Sequence, residues 1–177
     1  IGTKVYLALG SGDRERPLIT NYPYTTPVQN RFYSFYDSFV TDGSVIDLDG
    51  ADMENFTTET DCDSTLGSGK KGWFMDLVAG QGEQTVTSSV IFGGVVFFST
   101  NRPEATAPGT CATNLGEARG YAVNLFNASG VIGSGQLCGG GRSGEFSGGG
   151  IPPSPVVGTV PVSTPGGGTK TINVLIG

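Results

Sequence analysis

Histidine is absent from this 177-residue sequence. Without it the chain cannot hold a Ser-His-Asp triad or a histidine-ligated metal, which removes the chemistry of most common hydrolases. Charged residues are also scarce, at 15% of the chain, and the formal net charge is −6. Because binding to a phosphate backbone requires clustered Lys and Arg, we do not expect nucleic acid as a partner. We therefore expect neither a common hydrolase nor a nucleic-acid-binding protein.

Long apolar segments are missing as well. No apolar run approaches the roughly 20 residues that span a bilayer, and no secretory signal peptide is recognisable. The sequence starts at Ile1 rather than at an initiator methionine. We therefore expect either a processed product or a piece of a longer protein.

Cysteine is rare: the chain has only Cys62, Cys111 and Cys138, each in a loop rich in small polar residues. None belongs to a C-x-x-C pair, so we do not expect a cysteine metal site. Cys111 and Cys138 lie at either end of one segment of the chain, and we predict a disulfide between them. A disulfide suits an exported protein. The alternative is three free thiols in a cytosolic protein. With one disulfide, one cysteine has no partner in this sequence.

Glycine is the residue that the chain has in excess, with 30 copies, and proline adds 10. Ten Phe and six Tyr argue against disorder, so aromatic strands joined by glycine-rich loops explain both facts. Segments rich in β-branched and aromatic residues predict strands at residues 4–9, 31–36, 72–77, 85–92, 95–100, 120–126, 155–162 and 169–176. Gly93-Gly94 predicts a two-residue hairpin turn. No segment predicts a helix, and residues 49–56 predict no more than a single turn.

The strands repeat along the chain. An offset of 88 positions aligns Ser11 with Ser99, Asp13 with Asn101, Arg14 with Arg102, Arg31 with Arg119 and Tyr33 with Tyr121. Repeated strand groups indicate an array of small sheets, and a β-propeller of four-stranded blades fits best. We therefore expect an all-β fold, in which residues 1–177 form part of one β-propeller domain, with about two blades and fragments of the flanking blades. Such a piece exposes sheet faces and is incomplete on its own.

Four ordered motifs resemble the C-terminal region of the PilY family of type IV pilus factors. They are LGSGDRERPL at residues 9–18 with NRFY at 30–33, GWFMDL at 72–77 with GEQ at 82–84, LGEARGYA at 115–122, and GIPPSPVV at 150–157. Together they cover nearly the whole chain, whereas each motif alone is a weak signal.

The resemblance implies a modified propeller of the quinoprotein type, carried by a large exported protein that primes pilus assembly and acts in tip adhesion and twitching motility. It implies a location outside the cytoplasm, at the outer membrane, pilus tip or surface of a Gram-negative bacterium. The implied partners are the remaining blades of the same propeller, minor and major pilins, and a host or surface ligand. The calcium loop of the family lies upstream of these blades, so we expect no cofactor within this chain. Leu175 stands where the family often has a cysteine, which accounts for the odd cysteine count.

From this resemblance we expect a non-enzymatic component of pilus assembly and adhesion. Two other functions stay open. One is a fragment of a PQQ-dependent quinoprotein dehydrogenase, because that propeller shares the repeat. This enzyme requires a catalytic Asp, a set of calcium ligands and usually a vicinal disulfide, and the sequence has no adjacent cysteines. The other is a scaffold propeller that binds pilin or a glycan through loops such as residues 20–26 and 111–115.

The acidic segment 47–54 is a candidate metal site. Asp47, Asp49 and Asp52 supply carboxylate oxygens, which calcium prefers. The segment departs from the EF-hand pattern, because its glycine comes early and Thr58 stands where a bidentate Glu is required. A solvated acidic loop is the alternative interpretation.

Four arginines occupy the repeat-related positions: Arg14, Arg31, Arg102 and Arg119. Because each guanidinium offers five donors in a planar fork, we expect them to hold loop carbonyls or neighbouring carboxylates rather than to bind a substrate. The expected carboxylate partners are Glu15, Asp37 and Glu117.

Trp73 is predicted to pack between neighbouring blades, with Phe97, Tyr121 and Val95 also in the core. The alternative is an exposed Trp on a binding surface.

The glycine-rich loop at residues 139–150 lacks the residue order of a phosphate-binding loop and has no helix behind it. We therefore expect a flexible insertion there.

Overall fold

The computed structural model describes residues 4–37, 45–58, 61–106, 108–109 and 114–176. These residues form an all-β fold with several sheets, none of which closes on itself, so the predicted fold class is confirmed. The strands are β1 (Val5–Gly10), β2 (Arg31–Asp37), β3 (Met53–Asn55), β4 (Gly72–Asp76), β5 (Gln84–Thr85), β6 (Val90–Phe92), β7 (Val95–Arg102), β8 (Glu117–Asn124), β9 (Ser143–Phe146), β10 (Val156–Ser163) and β11 (Thr169–Ile176). Within these described ranges no helix has the length and apolar character needed to cross a membrane.

The first sheet has the strand order β1-β2-β4-β3. Neighbours β1, β2 and β4 are antiparallel, whereas β3 pairs with β4 in parallel. Side chains alternate between the two faces of a strand, and both faces of this sheet carry apolar residues. Phe32 lies on the inner face, while Tyr33 packs with Phe74 and Met53 on the outer face.

The second sheet is antiparallel, and β5 and β6 pair with two different parts of β7, which is followed by β8 and β9. The strands β5 and β6 therefore act as one edge strand with an interruption. At the interruption the N–H of Ser99 donates to the hydroxyl of Thr87 at 2.8 Å. Gly93 and Gly94, both with positive φ, form the turn between β6 and β7, and the predicted hairpin is confirmed.

The third sheet is the hairpin of β10 and β11, paired from Val156 opposite Ile176 to Ser163 opposite Thr169. It lies against β6 of the second sheet. Val156 and Ile176 remain 60% and 67% exposed. Since a two-stranded hairpin is only marginally stable in water, this one depends on its contact with the second sheet.

The first two sheets pack face to face across one apolar core. Phe32 of β2 stacks on Phe98 of β7 with ring centroids 3.7 Å apart, and Phe98 stacks in turn on Tyr121 of β8 at 4.5 Å. Trp73 of β4 is 1% exposed in the same core and donates its indole N–H to the carbonyl of Leu125 at 2.8 Å. Trp73 and Tyr121 are therefore buried between two sheets, as predicted.

Other expectations need correction. Phe97 is half-buried, whereas its neighbour Phe98 enters the core, because successive residues of a strand face opposite sides. Val95 is buried as predicted. Residues 49–56 contain β3 after a turn. The glycine-rich stretch 139–150 is not simply a flexible insertion, because β9 lies within it and pairs with β8.

Candidate functional site

Two of the sequence motifs meet at one end of the core. The loop after β1 lies against the segment 82–85, and the N–H of Thr85 donates to the carbonyl of Ser11 at 3.0 Å. Gly12 permits this approach: its φ is +147°, and a Cβ there would stand 2.8 Å from the Cβ of Gln84. The polar side chains buried at this junction are called the Glu83 network: Asn30, Glu83, Gln84, Thr100 and Tyr121.

Gln84 holds the charged loop of the first motif. Its side chain is fully buried, accepts from the N–H of Asp13 at 2.8 Å and donates to the carbonyl of Arg16 at 3.4 Å. Within the loop, Arg16 approaches Asp13 at 3.8 Å, but exposed ion pairs of this kind contribute little. A neutral amide, rather than an arginine, therefore fixes the backbone of this loop.

Glu83 is 0% exposed, and its carboxylate has three donors. Oε1 accepts from the hydroxyls of Thr100 at 2.5 Å and Tyr121 at 2.7 Å, and Oε2 accepts from the N–H of Ala79 at 2.6 Å. The Tyr121 hydroxyl also accepts from the N–H of Val78 at 3.0 Å. The Glu83 network thereby joins β7 and β8 to the loop between β4 and β5.

Burial dominates the electrostatics of this carboxyl group. Desolvation raises the pKa of Glu83 above its ordinary value, although the hydrogen bonds from Thr100, Tyr121 and the N–H of Ala79 oppose the shift. The pKa of the Tyr121 hydroxyl is also raised, first by burial and then by the neighbouring Glu83 charge. The arrangement holds backbone and side chains together from inside the core, and it offers no exposed surface of Glu83 to a substrate.

Two buried amides tie further loops to the sheets. Asn30 donates from Nδ2 to the carbonyl of Glu83 at 2.8 Å. Asn101 donates from Nδ2 to the carbonyls of Leu115 at 3.0 Å and Gly150 at 2.6 Å. The two contacts of Asn101 bring the motif at residues 115–122 and the motif at residues 150–157 together beside the Glu83 network.

An ion-pair cluster lies where β7 ends and β8 begins. Arg102 Nη2 lies 2.5 Å from Glu117 Oε2 and 2.9 Å from Glu104 Oε1, and Arg119 Nε donates to Glu117 Oε1. Burial by itself raises the pKa of Glu117, but the hydrogen bonds from Arg119 and Arg102 outweigh it, so that the pKa lies below its ordinary value. The expected pairing of these arginines with Glu117 is confirmed.

Arg31 is held on the outer face of the first sheet. Its Nε lies 3.0 Å from Asp76 Oδ1, and its Nη1 lies 3.1 Å from Asp49 Oδ1. The guanidinium also lies over the ring of Phe74, 4.3 Å from the centroid. The Tyr33 hydroxyl donates to the same Asp49 oxygen at 3.0 Å. Arg31 therefore pairs with carboxylates, as expected of this group of arginines.

The register of the strands corrects the sequence repeat by one residue. Leu9 pairs with Tyr33, but Tyr121 pairs with Phe98 rather than with Phe97. The offset is therefore 88 positions between β2 and β8 but 89 between β1 and β7. A shift of one residue turns a side chain to the other face of its strand. The aligned pairs of the second strand of each hairpin, including Tyr33 with Tyr121, remain equivalent.

This shift explains the behaviour of Arg14. With the corrected offset the counterpart of Asp13 is Arg102, and the counterpart of Arg14 is Pro103. Arg14 is exposed, and among the described residues it takes part in none of the ion pairs. Glu15, one of the expected carboxylate partners of the four arginines, is therefore not paired with Arg14 in the described part of the chain.

The acidic segment does not gather its carboxylates at one point. Asp49 is engaged by Arg31, while Asp52 Oδ2 accepts from the N–H of Asp47 at 2.9 Å and lies 4.0 Å from Lys71 Nζ. Asp47 Oδ1 accepts from the N–H of Asp49 at 3.2 Å. Across the part of the chain that the structure describes, no three Asp, Glu, Cys or His side chains are placed to hold a metal ion. The three aspartates serve turns and ion pairs.

The disulfide joins Cys62 to Cys138, whose Cα atoms are 5.4 Å apart. The predicted bond between Cys111 and Cys138 is wrong, because a cysteine bonds to a single partner, and Cys111 lies outside the described residues. The bond links the loop before β4 to the loop before β9, 76 positions later. Asn127 Nδ2 reinforces the link by donating to the carbonyl of Cys62 at 3.0 Å.

Comparison of the chain with protein-family models, with curated proteins and with solved structures finds no match. What the site does chemically then follows from its own geometry. The buried carboxylate and amides hold loops, and the arginines pair with carboxylates of the same chain. These groups are suited to a rigid loop surface at one end of two packed sheets.

Sequence reasoning missed the centre of this arrangement. Glu83 and Gln84 follow Gly82 in a short motif, but two adjacent buried polar residues produce no hydrophobic period. Thr100 falls in the predicted strand 95–100, but no sequence pattern indicates a role for its hydroxyl. The one available signal was the density of polar residues at strand ends within the four motifs.

Proposed function

We propose that this chain is a non-enzymatic sector of a larger β-propeller in a PilY-type protein, which acts in type IV pilus assembly, tip adhesion and twitching motility. The observation that carries the proposal is the way in which the two main sheets stack. Tyr33 and Tyr121 are equivalent in the repeat, yet Tyr33 lies on the outer face of the first sheet and Tyr121 lies in the core. Equivalent faces of the two sheets therefore point in the same direction.

This stacking supports a propeller over a closed sandwich. In a sandwich related by two-fold symmetry, equivalent faces of both sheets point into the shared core. In a propeller, one face of each blade packs on the opposite face of the next, which is a head-to-tail contact that continues until the ring closes. A head-to-tail pair leaves one unmatched face at each end, and each of these faces fits a further sheet.

Exposed apolar side chains are found on β1, the edge strand of the first sheet. Val5, Leu7 and Leu9 of β1 are 41–42% exposed, and they line the side that bears Tyr33. An apolar edge strand of this length is a liability unless another element covers it. We infer that the preceding blade of the same propeller packs there. At the other end, the hairpin of β10 and β11 supplies the first strands of the next blade.

The polar groups support a scaffold role. The Glu83 network and the arginine clusters are engaged within the chain, so they stiffen the loops at one end of the blades. We propose that these loops contact minor and major pilins or a surface ligand. The disulfide between Cys62 and Cys138 supports a location outside the cytoplasm of a Gram-negative bacterium. The four motifs that resemble the PilY family supply the link from this scaffold to the pilus.

Gene deletion in the bacterium that encodes the chain tests the proposal. Deletion is expected to reduce the number of surface pili and the diameter of twitching zones, and the wild-type gene restores both. Purified minor and major pilins are expected to bind the immobilised protein in a saturable manner. Normal piliation and twitching after deletion contradict the proposal. Reconstitution with PQQ and calcium tests the dehydrogenase alternative. A bound quinone adds its own absorbance and a dye-reducing activity, and the appearance of both favours the enzyme over the pilus function.

A further inference from the structure

A cavity of about 200 Å³ lies between the two sheets, towards the strand ends that are opposite the Glu83 network. Trp73 and Leu125, both buried, form its deep wall. Tyr6 and Phe126 form its rim, and half of the Phe126 side chain is exposed. Leu66 closes one side and packs against the same core. The cavity is therefore apolar and open at an aromatic rim.

The polar groups at the deep wall already have partners. Ser34 Oγ donates to the carbonyl of Leu125 at 3.2 Å, and the indole N–H of Trp73 donates to the same oxygen at 2.8 Å. None of the residues that line the cavity is charged, so a charged ligand loses its water there without gaining an opposite charge. The wall therefore favours an uncharged, apolar ligand.

The rim favours an aromatic ligand over an aliphatic one. Tyr6 and Phe126 meet edge to face, with centroids 5.5 Å apart and planes at 89°. Tyr36 extends the row, 5.9 Å from Tyr6. Aromatic rings prefer such edge-to-face and offset contacts, so a further ring gains contacts that an aliphatic group does not.

The wall that carries Leu66 is tethered. Its loop begins at the Cys62–Cys138 disulfide, and Ser129 Oγ donates to the carbonyl of Asp61 at 3.1 Å. A wall fixed at its base keeps the cavity open without a ligand, and pre-formed pockets bind small molecules without the cost of ordering a loop.

We propose that this cavity binds one uncharged aromatic ring, from benzene to indole in size. An engineered cavity of about 150 Å³ with aliphatic and aromatic walls accepts benzene. The present cavity, at about 200 Å³, has room for the same ring and a small substituent. This inference does not depend on the pilus function, since the cavity lies away from the loops proposed to contact pilins.

Trp73 makes the test direct, because it is the only tryptophan of the 177-residue sequence and it lines the cavity. Iodobenzene, whose heavy atom quenches indole fluorescence on contact, is expected to quench Trp73 along a saturating curve. Benzene, which does not quench in this way, is expected to compete and restore the fluorescence. Quenching that rises linearly with iodobenzene, without recovery on addition of benzene, overturns the proposal.

A filled cavity supplies the second arm of the test. Leu66→Phe places a ring at the opening and is expected to weaken iodobenzene binding by about tenfold or more, because the space is occupied. Leu115→Phe is the matched control, since Leu115 is 50% exposed and does not line the cavity; it is expected to leave binding unchanged. Thr65→Phe, at an exposed position of the rim, replaces Leu66→Phe if the circular dichroism of the latter departs from wild type. Equal binding by the filled and control variants also overturns the proposal.

Discussion

The hydroxyl of Tyr121 donates to Oε1 of Glu83 at 2.7 Å and accepts from the N–H of Val78 at 3.0 Å. One side chain of β8 thus serves a buried carboxylate and a loop N–H at once. The Glu83 carboxylate is fully buried, so a partner that it loses is not replaced by bulk water.

Tyr121→Phe is expected to lower the free energy of unfolding by about 1.5–3 kcal/mol, because it removes a hydrogen bond to a charged group. Thr100 is then the one hydroxyl donor of the pair that remains on Glu83. Urea denaturation followed by circular dichroism measures the loss. Tyr24→Phe is the matched control, since Tyr24 is 54% exposed, and it is expected to change stability by less than about 0.5 kcal/mol. Equal effects of the two variants contradict a structural role for the Tyr121 hydroxyl.

Glu83→Gln is expected to flatten the pH dependence of stability. Because burial raises the pKa of Glu83 in the folded protein, the stability linked to this group is fully present below its unfolded pKa. It is lost as the pH rises through the folded pKa. The wild-type free energy of unfolding is therefore expected to fall with rising pH, relative to the variant, from the acidic range upwards. Denaturation midpoints measured in parallel at a series of pH values give this difference.

Glu117 makes stability depend on pH in the opposite direction, but its contribution cancels when wild type is compared with Glu83→Gln. Its lowered pKa contributes stability above the unfolded pKa, which is lost as the pH falls through the folded pKa. This effect is present in both the wild type and Glu83→Gln. Glu145→Gln, at an exposed position, is the control and is expected to retain the wild-type pH profile. A Glu83→Gln profile parallel to that of wild type refutes the assignment.

Trp73→Phe and Ser34→Ala are expected to be coupled, because both side chains donate to the carbonyl of Leu125. Either donor alone keeps that oxygen paired, whereas the double variant leaves it buried without a partner. The double variant is expected to lose about 1 kcal/mol more than the two single losses combined. Unfolding free energies of the four proteins close the cycle. Ser34→Ala combined with Tyr121→Phe serves as the control pair, and strict additivity of the first pair argues against a shared acceptor.

Much of the fold is predictable from sequence because strand signals are local. Aromatic and β-branched runs mark the strands, and a Gly-Gly pair marks the hairpin at Gly93. Trp73 is large and apolar, and it lies in a predicted strand, which favours its burial. β3 and β9 escape prediction because Met53–Asn55 is too short for a period and Ser143–Phe146 stands among glycines. Their strand geometry comes from pairing with β4 and β8.

Long-range relationships are much less predictable. The connection between β7 and β8 is one residue shorter than that between β1 and β2, and an ungapped alignment passes over this difference. That single residue decides whether Phe97 or Phe98 enters the core, and whether Arg102 or Pro103 is the counterpart of Arg14. The partner of Cys138 is equally non-local, since three cysteines allow three different pairs and spacing does not choose among them.

Removal of the disulfide is expected to destabilise the protein by about 2–4 kcal/mol, because the bond closes a long loop and restricts the unfolded chain. The double variant Cys62→Ser, Cys138→Ser tests this by urea denaturation under non-reducing conditions. Cys111→Ser is the matched control and is expected to retain most of the wild-type stability. Peptide mapping without reduction is expected to recover Cys62 linked to Cys138, and recovery of a Cys111–Cys138 peptide instead rejects the pairing.

Arg102→Ala and Arg14→Ala separate the corrected register from the ungapped repeat. Arg102 binds both Glu117 and Glu104, so its loss is expected to cost about 1 kcal/mol. Arg14 is exposed, and its loss is expected to change stability by less than about 0.5 kcal/mol. Added salt is expected to shrink the Arg102 effect, because screening weakens a partly exposed ion pair. Denaturation midpoints at low and high salt measure both effects. Equal losses of stability for the two variants contradict the corrected register and favour the ungapped repeat, in which Arg14 and Arg102 are equivalent.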